Sequence, residues 1–199
     1  MSCLGARRRL QPALVLVLLL AAGCGGRVPS RYYVLAPIAV APSAGPATVP
    51  PATIGVTPVR IPAYVDRPQI VTRKGPDEIS LTEFDRWGEP LVDGVPRTIA
   101  ENLGLLLPND RVALLPWAGM RAPQYRVVVD VARFDGTLGP GVLLEASWRI
   151  LGAEGKTLRE ARFALSEPAA EPAYSALVAA MSRCLGGLSR EIAAALKSL

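Results

Sequence analysis

Three consecutive stretches alternate between apolar and polar residues, and this pattern limits the fold more than any other feature. In QYRVVVDVARF (124–134), Tyr125, Val127, Val129 and Val131 recur at every second position. In VLLEASWRI (142–150), Val142, Leu144, Ala146, Trp148 and Ile150 stand against Glu145, Ser147 and Arg149. In REARFAL (159–165), Ala161, Phe163 and Leu165 oppose Glu160 and Arg162. Successive side chains of a strand point to opposite faces, so each stretch reads as a strand with one face on a core and one in water. Asp135-Gly136 with Gly139-Pro140-Gly141, and then Gly152 to Gly155, supply the turns of an antiparallel meander.

A one-sided sheet needs a cover. Residues 172–197 offer one, because Val178, Met181, Leu185, Leu188, Ile192 and Ala195 step by three and four. The segment reads as a helix packed on the sheet; the competing reading is a seam against a second copy or a partner. Gly186-Gly187 opposes the helix by about 1 kcal/mol per glycine against alanine, and marks a close approach or a bend. A second helix is predicted over 87–107, where Val92, Val95, Ile99, Leu103 and Leu106 share a face. Gly94 and Pro96 weaken its early turns. Either it begins near Val95 with Pro96 in the first turn, where proline is tolerated, or it starts earlier and kinks.

Shorter strands are expected at 32–35, 53–59 and 111–115, with a hairpin over 69–83 turning at Lys74-Gly75-Pro76-Asp77. Residues 37–52, rich in proline, alanine and glycine, read as an exposed loop. The expected fold class is α+β: an antiparallel or mixed sheet with two main helices packed on one face. A single domain over residues 31–199 would hold it.

The N-terminal stretch RRRLQPALVLVLLLAAGCGGR (7–27) has a basic start and an unbroken apolar run only from Ala13 to Ala22. A bilayer span needs roughly 20 such residues, so the pattern reads as a secretory signal over residues 1–23. Leu20-Ala21-Ala22-Gly23-Cys24 resembles the lipobox of bacterial lipoproteins, although Ala21 stands where that pattern more often has leucine. The resemblance implies lipid on Cys24, cleavage before it and a lipidated tether over 24–30. A plain cleaved signal with an incidental cysteine is the competing reading. Gly25, by resemblance to the lipoprotein sorting rule, favours the outer membrane over the inner one, with the domain facing the periplasm.

The net charge of +5 includes three arginines of the signal, leaving +2. This balance does not point to nucleic acid, whose ligands usually cluster lysine and arginine. With Cys3 in the signal and Cys24 acylated, Cys184 stands alone and reads as a small buried apolar residue. The chain has no histidine, which removes the commonest acid/base and metal-binding side chain. No catalytic, phosphate-binding or paired-cysteine metal motif is present. The expectation is a non-enzymatic protein without cofactor or metal.

RYYVLAP soon after the lipobox, VRIPAYVDRPQIVTR (59–73), FDRWGEPL (84–91) and YSALVAAMSRCLGGLSREIA (174–193) together resemble the PqiC/YmbA family of ABC-type transport auxiliary lipoproteins. The middle blocks are the most specific, from Pro62, Tyr64 and Asp66 through Ile70, then Arg86 through Leu91. Gly88, where alanine is more usual, and the Gly94/Pro96 pair depart from the pattern. The resemblance implies a subunit working with an MCE-domain protein and an inner-membrane ABC permease and ATPase. Such systems are linked to movement of phospholipid or other hydrophobic molecules and to envelope integrity. A ring-like homo-oligomer is also implied. An envelope-assembly lipoprotein without a direct transport role is the alternative.

Arg67, Arg86, Trp87 and Trp117 are the candidate partner contacts, because arginine and tryptophan are enriched at binding hot spots. Against this, Trp87 equally suits a core position beside the sheet, and Asp66 in YVDRPQ equally suits a turn cap.

Overall fold

The computed structural model describes residues 29–39, 51–116 and 122–199. Strands β1 (Arg31–Tyr33), β2 (Thr53–Val56), β3 (Gln69–Arg73) and β4 (Ile79–Trp87) precede helix α1 (Leu91–Leu106). Strands β5 (Arg111–Leu114), β6 (Tyr125–Thr137), β7 (Gly141–Gly152) and β8 (Thr157–Glu167) then lead to helix α2 (Tyr174–Lys197). The result is the predicted α+β domain, and its eight-stranded sheet is mixed. β6, β7 and β8 form the expected antiparallel meander. The other side of β6 is shared: β2 pairs parallel with its start and β3 parallel near its end. β5 extends the sheet beyond β2, while β4 and then β1 extend it beyond β3.

Two local readings are corrected. Asp135-Gly136 is not part of a turn. β6 runs through both residues to Thr137 and β7 begins at Gly141, so the connection is Leu138–Pro140. Glycine at 136 answers to strand approach, since a Cβ there would collide with the Gly141 carbonyl oxygen. The alternation in β6 also changes phase. A register irregularity between Val131 and Arg133 leaves Ala132 unpaired, and beyond this bulge Phe134 takes the core position.

α1 starts at Leu91, the earlier of the two alternatives, and holds Pro96 inside it. Proline there offers no N–H to the Val92 carbonyl. Its buried stripe is Leu91, Val95, Ile99 and Leu103, while Val92 and Leu106 are half-buried. Asp66 caps the helix rather than its own turn, accepting from the Val92 N–H at 3.4 Å. Gly94 leaves room for Glu89, whose Oε1 would lie 3.1 Å from an added Cβ. Glu89 then reaches Arg97, which also binds Glu101 and donates to the Leu35 carbonyl.

α2 is buried along most of its length against α1, β7 and β8. Its periodic stripe is therefore satisfied within the domain. Gly186 and Gly187 are close-approach residues. A Cβ on Gly186 would collide with the Ile38 side chain, and one on Gly187 would stand 2.5 Å from Leu165 Cδ2. Both helices share one continuous core with the inward residues of the sheet.

Candidate interaction surfaces

The blocks that carry the resemblance position charge inside the fold. Asp135 is 1 % exposed. Its carboxylate accepts from Tyr64 Oη at 2.6 Å, from Arg73 Nε at 3.1 Å and Nη2 at 2.7 Å, and from Arg133 Nε at 3.0 Å. Burial alone would raise its pKa. The hydrogen bonds from Arg73, Tyr64 and Arg133 outweigh burial and hold the carboxyl below its ordinary value. Burial, then the bond to Asp135, pushes the Tyr64 phenol up. A second aspartate cluster ties β1 to β4. Asp85, also buried, accepts from Arg31 Nε at 2.8 Å and from Tyr33 Oη at 2.9 Å.

Residues 35–39 form a strap over the seam between the helices. The Leu35 side chain is buried, and the Ala36 N–H donates to Ser182 Oγ at 3.1 Å. The Ile38 N–H donates to Asn102 Oδ1 at 2.8 Å. Asn102 Nδ2 in turn donates to Ser189 Oγ at 3.2 Å, and Ser189 donates to the Leu185 carbonyl at 2.8 Å. Beside the strap lies an open groove of about 380 Å³, lined by Ala36, Ile38, Leu165, Ala179, Arg183 and Arg190. A second shallow groove, of about 450 Å³, runs over the outer face of the meander between Glu145, Ser147, Arg162 and Ala164.

The candidate partner residues are dispersed. Cys24 and Trp117 lie outside the described residues. Trp87 is 6 % exposed and packs in the core, with its backbone N–H donating to the Pro68 carbonyl at 2.8 Å; in this fold the indole offers little surface. Arg67 is half-buried, and among the described residues its Nε is one of three buried side-chain polar atoms without a hydrogen-bond partner, beside Trp87 Nε1 and Thr98 Oγ1. Arg86 is half-buried on the opposite side of β4 from Trp87. Cys184 is fully buried, and burial, reinforced by the charge of Glu167, pushes its thiol up to about 12. Among the described residues no cluster of acidic, cysteine or histidine side chains could hold a metal ion. No described helix is long and apolar enough to cross a membrane.

Sequence reasoning missed the two aspartate clusters and the Asn102–Ser189 link. The available signal is the density of arginine, tyrosine and aspartate in 59–73 and 84–91, which serves largely to join strands.

A family model described as ABC-type transport auxiliary lipoprotein component matches residues 33–193. No curated protein matches. Among solved structures, an uncharacterised protein aligns at a TM-score of 0.69 and 19 % identity, over 85 % of this chain and 99 % of its own. Protein XCC0632 from Xanthomonas campestris aligns at a TM-score of 0.67 and 19 % identity, over 82 % of this chain and 93 % of its own. At that identity the two structures bear on the fold alone.

Proposed function

The chain belongs to the family of ABC-type transport auxiliary lipoprotein components, and from that premise we propose that it is a non-enzymatic, lipid-anchored subunit of an ABC/MCE-type intermembrane transport system. Its acylated Cys24 holds the domain on the periplasmic side of the outer membrane, where it assists the passage of phospholipid or other hydrophobic molecules and so supports envelope integrity. The observation that carries this reading is the family match across nearly the whole domain, in a chain that places a lipobox cysteine seven residues before the first strand. Its partner is an MCE-domain protein, met through the half-buried Arg67 and through Trp117. Homo-oligomerisation belongs to the same proposal.

Capture of the tagged protein from intact envelopes should retain an MCE-domain protein together with the ABC components. Repeated capture without any of these refutes the transport assignment. Fractionation beside Cys24→Ala tests the anchor, since the variant should leave the membrane fraction while the parent stays in it.

A further inference from the structure

We propose that the outer side of the β1–β4 edge is a bilayer-docking surface, which seats the domain against the lipid headgroups and the upper acyl chains. The inference rests on the anchor at Cys24 and adds to it a fixed orientation. β1 and β4 run parallel, with Tyr32 opposite Arg86 and Tyr33 opposite Trp87. Trp87 is in the core, so strand alternation turns Tyr32, Val34, Phe84 and Arg86 to the outer side. Tyr32, Val34 and Phe84 are 66, 55 and 42 % exposed, and they account for three of the seven large apolar side chains exposed among the described residues. Arg86 makes no ion pair among the described residues.

The chain leading to this patch decides the occupant. Tyr32 lies eight positions beyond Cys24, and eight extended residues span at most about 28 Å. An acylated Cys24 therefore keeps the patch close to the membrane surface. Three apolar side chains alone would bind a bilayer weakly, but a short tether makes the contact intramolecular and raises the local concentration to the millimolar range. The chemistry fits the interfacial zone. A tyrosine ring is apolar with a wet hydroxyl and favours the headgroup level, phenylalanine and valine enter the acyl boundary, and an arginine is drawn to anionic lipid.

The test uses the full acylated lipoprotein reconstituted into vesicles of phosphatidylethanolamine and phosphatidylglycerol. Cys24 is blocked by lipid and Cys184 is buried, so Phe84→Cys, Tyr32→Cys and, as control, Ala194→Cys on the exposed side of α2 each add one reactive thiol for an environment-sensitive fluorophore. Lipids carrying a nitroxide near the headgroup should quench the emission at positions 32 and 84 strongly and leave position 194 nearly unchanged. Protein that floats with the vesicles but shows equal, weak quenching at all three positions refutes docking and leaves the anchor standing. A blue-shifted but unquenched label at 32 and 84 shows that protein, such as a second copy, covers the patch, and also refutes docking. Protein that fails to float refutes the anchor and the docking that depends on it.

Discussion

Asp135 is the residue whose replacement tests the internal organisation most directly. Its carboxylate joins the end of β6 to Arg73 of β3 and to Tyr64 in the loop before it, and Arg133 closes the cluster. In Asp135→Ala two guanidinium groups and a phenol lose their common acceptor. Removing one partner of a fully buried pair costs about 3–5 kcal/mol. The Arg73 and Arg133 side chains are 17 and 33 % exposed, and Arg73 keeps its bond to the Pro76 carbonyl. Hydration of these groups brings the expected loss to about 2–3 kcal/mol. Urea unfolding followed by tryptophan fluorescence should report it at pH 7. The same residue sets an acid limb. The folded carboxyl lies below its ordinary value of 3.8, so as pH falls through 3.8 the unfolded chain takes up this proton first and stability declines. The contribution is fully present above 3.8 and is lost as pH falls through the lower folded value. Asp135→Ala should flatten that part of the stability profile. A variant within about 0.5 kcal/mol of the parent at neutral pH, with an unchanged acid limb, would refute the cluster as a stabilising junction.

Three further predictions concern the helices. An added Cβ at Gly104 meets nothing within 4 Å, so Gly104→Ala should raise stability by about 0.5–1 kcal/mol, whereas Gly187→Ala, pressed on Leu165, should lower it by about 1–2 kcal/mol; paired urea titrations measure the opposite signs. Asn102→Ala removes the acceptor of the Ile38 N–H and a donor to Ser189, so a loss of about 2 kcal/mol is expected, with hydrogen exchange at Ile38 accelerated more than at the β7 amides. Cys184, its thiol pushed up to about 12, should resist maleimide at pH 7.5 in the folded protein and react once urea unfolds it.

The parts of the fold legible in the sequence are those in which a single periodicity persists. Val142 to Ile150 keep strict alternation and lie along the core face of β7, and Val178 to Ile192 keep helical spacing and lie along the buried side of α2. Legibility ends where a contact distant in sequence sets the local conformation. The bulge at Ala132 and the continuation of β6 through Asp135-Gly136 depend on Tyr64 and Arg73, about 60 to 70 positions earlier. The parallel pairings of β1, β2 and β3 leave no local mark, because such partners are not joined by a tight turn. α1 begins at Leu91 despite Gly94 and Pro96, since Asp66 and the Glu89–Arg97 pair support its first turns. Of the site, the position of Arg86 on the outer side of β4 follows from the core placement of Trp87, which only the structure supplies.

The way the N-terminal chain joins the domain bears on what an auxiliary subunit can do. β1 has only three residues and one neighbouring strand, too little to fix a domain by main-chain pairing alone. It is held by Arg31 and Tyr33 on Asp85, by the Gly88 N–H on the Tyr33 carbonyl at 2.7 Å, and by the strap that follows. That strap is bound to α1 through Arg97 and Asn102 and to α2 through Ser182. A pull on the tether is therefore shared between the sheet edge and both helices rather than opening one short strand. A lipid anchor on a loose linker would let the domain tumble beneath the bilayer. The docking proposed for the β1–β4 edge would remove that freedom, and with it set the direction in which the groove beside the strap meets a partner.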